Sequence, residues 1–318
     1  MRAIALHKTG DIPELMDLPV PRPAAGEIMV RLEAASLNPI DVGIAAGYFE
    51  GRMPHVYPLV LGVDGAGRVT EVGEGVSAFE PGDLVHGQFL SAPLGRGTFA
   101  EYTVVSAFPD GGALLRVPDG VSAELAAALP TAGMTAIGAL DTIDPGPGRS
   151  ILIVGATGGV GVFAVQLAAM HGAEVIATAR PEADAWIRGL GATHTVDYTA
   201  ASASVAEQVR MTHPDGVDAV LDLTRDPAQF AANAGLVHDG GTALSVAIVA
   251  TPELLASERI TVVNFMMHNK PDLLARITAE VASGRITAPI QRTITLDQVP
   301  AALAATASGV RGKTTIRI

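Results

Sequence analysis

The chain contains no cysteine. That excludes disulfides, thiolate catalysis and any zinc site built on cysteine ligands. Also missing is any run approaching the roughly 18 to 20 apolar residues needed to span a bilayer. The opening Met1-Arg2-Ala3-Ile4-Ala5-Leu6-His7-Lys8 holds too short an apolar stretch for a secretory signal, so a cytoplasmic protein is expected. Basic residues are in short supply: 21 Lys and Arg against 33 Asp and Glu leave a formal net charge of −12. Nucleic acid and anionic membranes are therefore poor partners. The eight histidines form no H-E-x-x-H or comparable ligand spacing, and no metal is expected.

What is present points to a compact α/β chain of 318 residues, 48% hydrophobic and long enough for two domains. The first part reads as strands and turns, with candidate strands at 1–6, 28–35 and 99–106. Between them glycine and proline recur, from Pro39 through Gly82, at a spacing that suits a small irregular β domain. From Ser122 the texture changes. Ser122 is placed to cap a helix over 123–129, with Glu124 in its first turn, and a helical pattern continues over 135–140.

Strands then alternate with helices. The strands are expected at 151–154, 174–178, 193–196, 217–222, 241–247 and 260–264, with helices at 159–171, 182–190, 202–211 and 227–236. This rhythm predicts a parallel, doubly wound sheet. The remainder reads as a helix at 271–283, a strand at 290–295, a helix at 297–307 and a strand at 314–318. Six strands already complete the sheet by Asn264, so the tail is expected to return to the first domain.

The densest signal lies at Val154-Gly155-Ala156-Thr157-Gly158-Gly159-Val160-Gly161, which joins an apolar strand to an alanine-rich helix. Strand, glycine turn and helix together hold a dinucleotide pyrophosphate, because glycines admit the phosphates and the free N–H groups of the helix attract their charge. On the A-x-G-x-x-G reading Ala156 takes the first glycine position, while Gly158 and Gly161 keep the other two. Thr157, Gly159 and Val160 complete the turn. The next strand ends in Thr178-Ala179-Arg180, where an NAD-preferring fold carries an acid for the ribose 2′-hydroxyl. Arginine pairs instead with a 2′-phosphate, and a charge-assisted contact of about 1.5–3 kcal/mol gives NADPH a preference on the order of 10- to 100-fold. Glu182 and Asp184 lie close enough in sequence to weaken it.

Several further stretches carry a family resemblance: Ser36-Leu37-Asn38-Pro39-Ile40-Asp41, Leu61-Gly62-Val63-Asp64-Gly65-Ala66-Gly67, Pro81-Gly82-Asp83, Gly97-Thr98-Phe99-Ala100-Glu101-Tyr102 and Leu129-Pro130-Thr131-Ala132-Gly133-Met134-Thr135-Ala136. With the glycine turn they span nearly the whole chain, which resembles a zinc-independent medium-chain dehydrogenase/reductase of the quinone oxidoreductase (zeta-crystallin-like) type. The resemblance implies a GroES-like β-rich catalytic domain, formed by 1–122 and 268–318, and a doubly wound Rossmann domain over 123–267 that binds NADPH. Zinc-dependent members carry G-H-E-x-x-G-x(5)-G-x-x-V. This chain keeps Gly62, Gly67, Gly73 and Val76 but has Val63 and Asp64 in place of the histidine and glutamate.

Without a metal, the acceptor must already be electrophilic or be polarised by hydrogen bonds. The implied reaction is therefore hydride transfer to a quinone or another conjugated carbonyl. An enone or enoyl reductase of a biosynthetic pathway is the alternative; a non-catalytic NADPH-binding sensor or crystallin-like protein is an alternative of another class. The resemblance places Asn38 and Asp41 at the reacting centre, although both also suit shaping the Pro39 turn. Tyr48, His55 and Tyr57 follow as candidate proton donors, Tyr48 first among them. It places Thr131, Thr135, Tyr198, Ser245, Val246, Phe265 and Lys313 at the cofactor, with Thr178 and Arg180. It also implies a homodimer paired through the edge strand near 260–264.

Overall fold

The computed structural model describes residues 1–109, 111–268, 270–306 and 311–318. It divides into two compact units, Met1–Met134 with the described residues from Lys270 onward, and Thr135–His268. The first contains β1 (Arg2–Leu6), β2 (Glu14–Asp17), β3 (Glu27–Ser36), α1 (Pro39–Ala45), β4 (His55–Val60), β5 (Asp64–Val72), β6 (Leu84–Gln88), β7 (Leu94–Arg96), β8 (Tyr102–Ser106), β9 (Ala113–Arg116) and α2 (Ala123–Ala127). Next, α3 (Pro130–Ile143) carries the chain from the first unit into the second.

The expected helix over 123–129 stops early because Pro130 disfavours helical geometry at the residue before it; Pro130 then opens α3, where its fixed φ suits a first turn. Ser122 caps α2 as expected, accepting from the Leu125 N–H at 3.2 Å. The unit boundary also falls later than 122/123. Ala126 and Ala127 of α2 pack with Ala34 of β3 and Ala66 of β5, which keeps that helix with the β domain.

In the first unit, β2-β1-β4-β7 form one sheet, and β16-β17-β3-β5-β6-β9 form another, with β8 also paired to β3; here β16 is Ile290–Thr295 and β17 is Lys313–Arg317. The tail therefore does return. Strand β17 lies antiparallel to β3 with Thr315 opposite Ser36, while β5 lies on the other side of β3 with Asp64 opposite the same Ser36. Leu6, Leu59, Leu61, Phe99, Val299 and Ile316 share one buried cluster beneath these strands. Gly62 is required where β4 turns toward β5. Its φ is +99°, and a Cβ there would meet the Phe99 ring at 2.5 Å.

The second unit alternates β10 (Ser150–Val154), α4 (Gly161–Met170), β11 (Glu174–Thr178), α5 (Asp184–Gly189), β12 (His194–Val196), α6 (Val205–Thr212), β13 (Val217–Asp222), α7 (Pro227–Ala234), β14 (Val237–Ser245), α8 (Pro252–Leu255) and β15 (Thr261–Asn264). All pairings within its sheet are parallel, in the order β12-β11-β10-β13-β14-β15. Every residue of β10 is buried, as a central strand covered on both faces requires. Between β10 and β13 the direction of winding reverses, and ligands of such sheets bind at the carboxyl ends of the strands flanking that point.

Beyond the second unit come α9 (Lys270–Ala282) and α10 (Val299–Ala305), both in the first. Ala307, the last residue of the helix expected over 297–307, lies outside the described residues. No described helix is long and apolar enough to cross a membrane.

Candidate active site

Two polar constellations stand out, one in each unit. In the second unit, β10 ends at the glycine turn, where Gly155 has a φ of +81°. A Cβ on Gly161 would meet the carbonyl oxygens of Gly155 and Ala156 at 2.5 Å, so only glycine lets the chain enter α4 this close beneath the turn. Ala156 is fully buried, while Thr157, Gly158, Gly159 and Val160 are partly exposed. Helix α4 starts at Gly161 with no side-chain cap, leaving the N–H groups of its entry to an anion. The turn thus has the open backbone and the uncapped helix start that a pyrophosphate needs.

Thr178, expected at the cofactor, has a different place. It is 2% exposed, and its hydroxyl accepts the Gly155 N–H at 2.9 Å, so it braces the turn from inside. Two residues on, Arg180 is exposed. Its Nε donates to the Tyr198 hydroxyl at 2.9 Å, and its guanidinium lies 5.7 Å from the centre of that ring. Tyr198 therefore orients Arg180, which the sequence could not show. Asp184, one of the acids expected to compete, is engaged by Arg188 at 3.1 Å and by the Thr195 hydroxyl. Those hydrogen bonds, the Thr195 contact foremost, hold the Asp184 carboxyl below its ordinary value.

The other expected residues of this unit lie at or just beyond the carboxyl ends of its strands, apart from Thr135, which is buried in α3. Ser245 is buried at the end of β14, and its Oγ accepts the Val249 N–H at 3.2 Å. Val246 donates its N–H to the Asp222 carbonyl at the end of β13, and Phe265 donates its own to the Ser245 carbonyl. Beside them Asn264 pairs both amide atoms with the Ala250 backbone, fixing the loop after β14.

In the first unit the register around Ser36 gathers a buried polar cluster. Asn38 and Asp64 approach from β3 and β5, and Lys313 from β17. Lys313 Nζ donates to Asn38 Oδ1 at 2.9 Å, and Asn38 Nδ2 donates to Asp64 Oδ2 at 2.9 Å. The Thr131 hydroxyl donates to Asp64 Oδ1 at 2.7 Å and accepts from Gln88 Nε2 at 2.7 Å. Lys270 Nζ donates to Gln88 Oε1 at 2.8 Å and to the Gly111 carbonyl.

Lys313, expected at the cofactor, is instead only 2% exposed, with its ammonium committed to Asn38 and, at 3.4 Å, to the Leu37 carbonyl. Asn38 is also buried, and its second amide hydrogen-bond donor contact is the Ser36 carbonyl at 3.3 Å. Asp41 accepts the N–H groups of Asn38 at 2.8 Å and Val63 at 3.1 Å, the turn-shaping role weighed for it from sequence. Burial pushes the Asp41 carboxyl up to about 8, against the pull of the Asn38 N–H and Lys313. Burial also raises Asp64, which Lys313 and Thr131 oppose, and lowers Lys313, which the two carboxylates oppose.

Tyr48 is exposed, packs edge-on to Phe49 and lies under the Arg52 guanidinium, 4.9 Å from its ring centre. His55 stacks against Tyr57, and its Nε2 is buried with no hydrogen-bond partner among the described residues. Asp64, Gln88 and Lys270 were missed from sequence as parts of a site. One signal was available: an acid inside the apolar run 61–67 has to be paired if it is buried. Another was a lysine in the first turn of α9, where the helix dipole disfavours it. Among the described residues no group of three or more His, Cys, Asp or Glu is arranged to hold a metal ion.

Comparison with known proteins agrees with this architecture. Residues 24–119 match the alcohol dehydrogenase GroES-like domain, and residues 159–279 match a domain described as zinc-binding dehydrogenase. A human mitochondrial NAD(P)H oxidoreductase is 32% identical over 92% of this chain and 82% of its own length. A chloroplast envelope quinone oxidoreductase homologue from Arabidopsis thaliana is 39% identical, but over 58% of this chain and 56% of its own length. The two plant relatives of similar kind are matched over 56% and 60% of theirs.

Among solved structures, a quinone oxidoreductase from Coxiella burnetii covers the whole chain with a TM-score of 0.83 at 27% identity, over 99% of its own chain. A mycobacterial protein complexed with NADPH has a TM-score of 0.86 at 26% identity, with both chains covered in full. The two units are thus a GroES-like β domain and a Rossmann domain. The chain belongs to the quinone oxidoreductase family of the medium-chain dehydrogenases/reductases.

Proposed function

We propose that the protein is an NADPH-dependent oxidoreductase that passes a hydride to a quinone or another conjugated carbonyl without a metal. Membership of a nicotinamide-dependent family supports the reaction class. The observation that carries the choice of cofactor is Arg180, exposed at the end of β11 and oriented by Tyr198 beside a glycine turn. When bound, NADPH supplies a hydride from C4 of its nicotinamide ring. The turn 155–161 holds the pyrophosphate on uncapped N–H groups, and Arg180 pairs with the 2′-phosphate.

Metal independence is supported by Val63 at the place of the family's zinc histidine and by the lack of cysteine. The acceptor then has to be electrophilic on its own account, as quinones and enones are. Asn38 and Thr131 border the reacting centre, Asn38 held by Asp64 and Lys313 and Thr131 by Asp64 and Gln88. Asp41 fixes the Pro39 turn that presents Asn38, and Tyr48 is the candidate side chain for protonation. Small molecules are the partners, the protein pairs as a homodimer through β15, and the absence of cysteine suits the reducing cytoplasm.

Steady-state oxidation of NADPH against a panel of quinones and enones, with and without EDTA, tests this reading. Turnover on quinones that survives EDTA is expected. Turnover confined to enones or enoyl esters would move the protein to the alternative reductase class. Tight NADPH binding without turnover on any acceptor would make it a binding protein.

A further inference from the structure

The buried cluster of the first unit has a feature that a collection of separate hydrogen bonds would lack. It is a single chain of contacts, Lys313 to Asn38 to Asp64 to Thr131 to Gln88 to Lys270, with a cation at each end and a carboxylate inside. Lys313 and Asn38 are at most 4% exposed, Asp64 is fully buried and Gln88 is 2% exposed. Burying an ammonium is costly, and such a group persists only where its surroundings return that cost. Here the Asn38 amide stands between the ammonium and the carboxylate, its oxygen toward one and its nitrogen toward the other. Flipping the amide would set the NH2 group against the ammonium and the oxygen against the carboxylate. The two opposite charges therefore fix Asn38 in one orientation.

Asp64 passes the same constraint onward. Helix α3 opens Leu129-Pro130-Thr131, with no Ser, Thr, Asp or Asn at the position that ordinarily caps a helix. The cap comes from β5 instead: Asp64 Oδ2 accepts the Thr131 N–H at 2.9 Å, and Oδ1 accepts its hydroxyl. Burial raises that carboxylate toward protonation, and Lys313 is the foremost influence opposing the rise. Through Asn38 and Asp64, Lys313 of β17 is thus linked by hydrogen bonds to a helix start more than 180 residues earlier in the chain.

We propose that Lys313 is a positioning residue, which acts through Asn38 and Asp64 to fix the Asn38 amide and the first turn of α3 while touching neither cofactor nor acceptor. Its consequence for catalysis rests on the reading that Asn38 and Thr131 border the reacting centre.

Two measurements on Lys313→Met, Lys313→Arg and the unmodified protein separate the parts. Amide hydrogen exchange, read by mass spectrometry over 36–41 and 129–135, needs neither cofactor nor turnover. Lys313→Met is expected to speed exchange about 10-fold in both segments and leave β10 to β15 unchanged, with Lys313→Arg restoring most of the protection. In steady-state assays Lys313→Met is expected to lower kcat by about 10- to 100-fold, as small misplacements of positioning groups do, while the Kd for NADPH moves less than about 3-fold. Combining it with Asn38→Ala should cost no more than Asn38→Ala alone.

Unchanged exchange in the two segments overturns the proposal, whatever the activity. So does a kcat that Lys313→Met leaves intact, or a double variant whose losses multiply. If Lys313→Met does not fold, Lys313→Gln, which keeps a donor for Asn38 Oδ1 without the charge, takes its place in each arm. An unmodified protein that turns over no acceptor refutes the proposed function, and the exchange result then decides the positioning role by itself.

Discussion

Arg180 shows what a single residue type contributes and what its neighbours add. The arginine was legible because an acid is the alternative at the end of the second strand of such a sheet, and the two have opposite consequences for a 2′-phosphate. Tyr198, which accepts the Arg180 Nε–H, lies beyond another strand, so the pair exists only once β11 and β12 lie side by side. Removing the charge should act on one cofactor. Arg180→Glu is expected to lower kcat/KM for NADPH by about 10- to 100-fold or more, with NADH changed only a few-fold. Equal losses with the two cofactors would remove the 2′-phosphate role, and comparable use of both by the unmodified protein would already weaken it. Lys313 and Thr178 illustrate the opposite case. Their positions in the pattern suggested contact with a cofactor, but strand register turns both toward the protein's own backbone and amides, and one sequence does not reveal which way a strand residue points.

At the scale of elements, the second unit was legible almost strand by strand and the first was not. Runs such as 151–154 and 219–221 are uniformly apolar because parallel strands are covered on both faces, so these strands stand out. In the β domain, by contrast, β4, β6 and β7 run to 6 residues at most and each carries a proline or glycine, so their residues read as turns. Side chains linking its elements were equally hidden, and His86 of β6 is one. Fully buried, it sets Nδ1 3.0 Å from the Ala126 carbonyl of α2 and Nε2 3.3 Å from the Thr278 hydroxyl of α9.

Burial pushes the His86 ring from 6.5 down to about 4. Between those values the unfolded chain takes up a proton that the folded protein refuses, so this contribution to stability is whole above about pH 6.5 and declines as the pH falls toward 4. Its full size is about 3 kcal/mol. Unfolding free energies of the unmodified protein and of His86→Gln, measured by denaturant titration from pH 7 to pH 4, should therefore converge on acidification. Subtracting the two curves cancels the opposing slopes of Asp41 and Asp64. A difference that stays constant with pH would show that His86 is not the group responsible.

For the molecule as a whole, the open question is what covers the edge of the Rossmann sheet. Strand β15 pairs with β14 on one side and with no other strand of the described residues on the other. Thr261, Val262 and Val263 are β-branched and partly or fully exposed along it. An exposed apolar edge presents unpaired N–H and C=O groups, which proteins avoid by covering, charging or pairing it. None of residues 260–264 is charged. A second copy of the same edge, related by a two-fold axis, satisfies both the hydrogen bonds and the apolar surface with one self-complementary contact. Light scattering at micromolar concentration should therefore report twice the 32.5 kDa chain mass. Val262→Lys puts two like charges across the axis and should shift the species toward monomer, more strongly at low salt because screening weakens the repulsion. NADPH binding in the second unit should persist in that monomer, since the glycine turn and Arg180 belong to strands on the far side of the sheet from β15. A monomeric unmodified protein, or a Val262→Lys dimer as tight as the parent, would mean that something other than a second copy protects this edge.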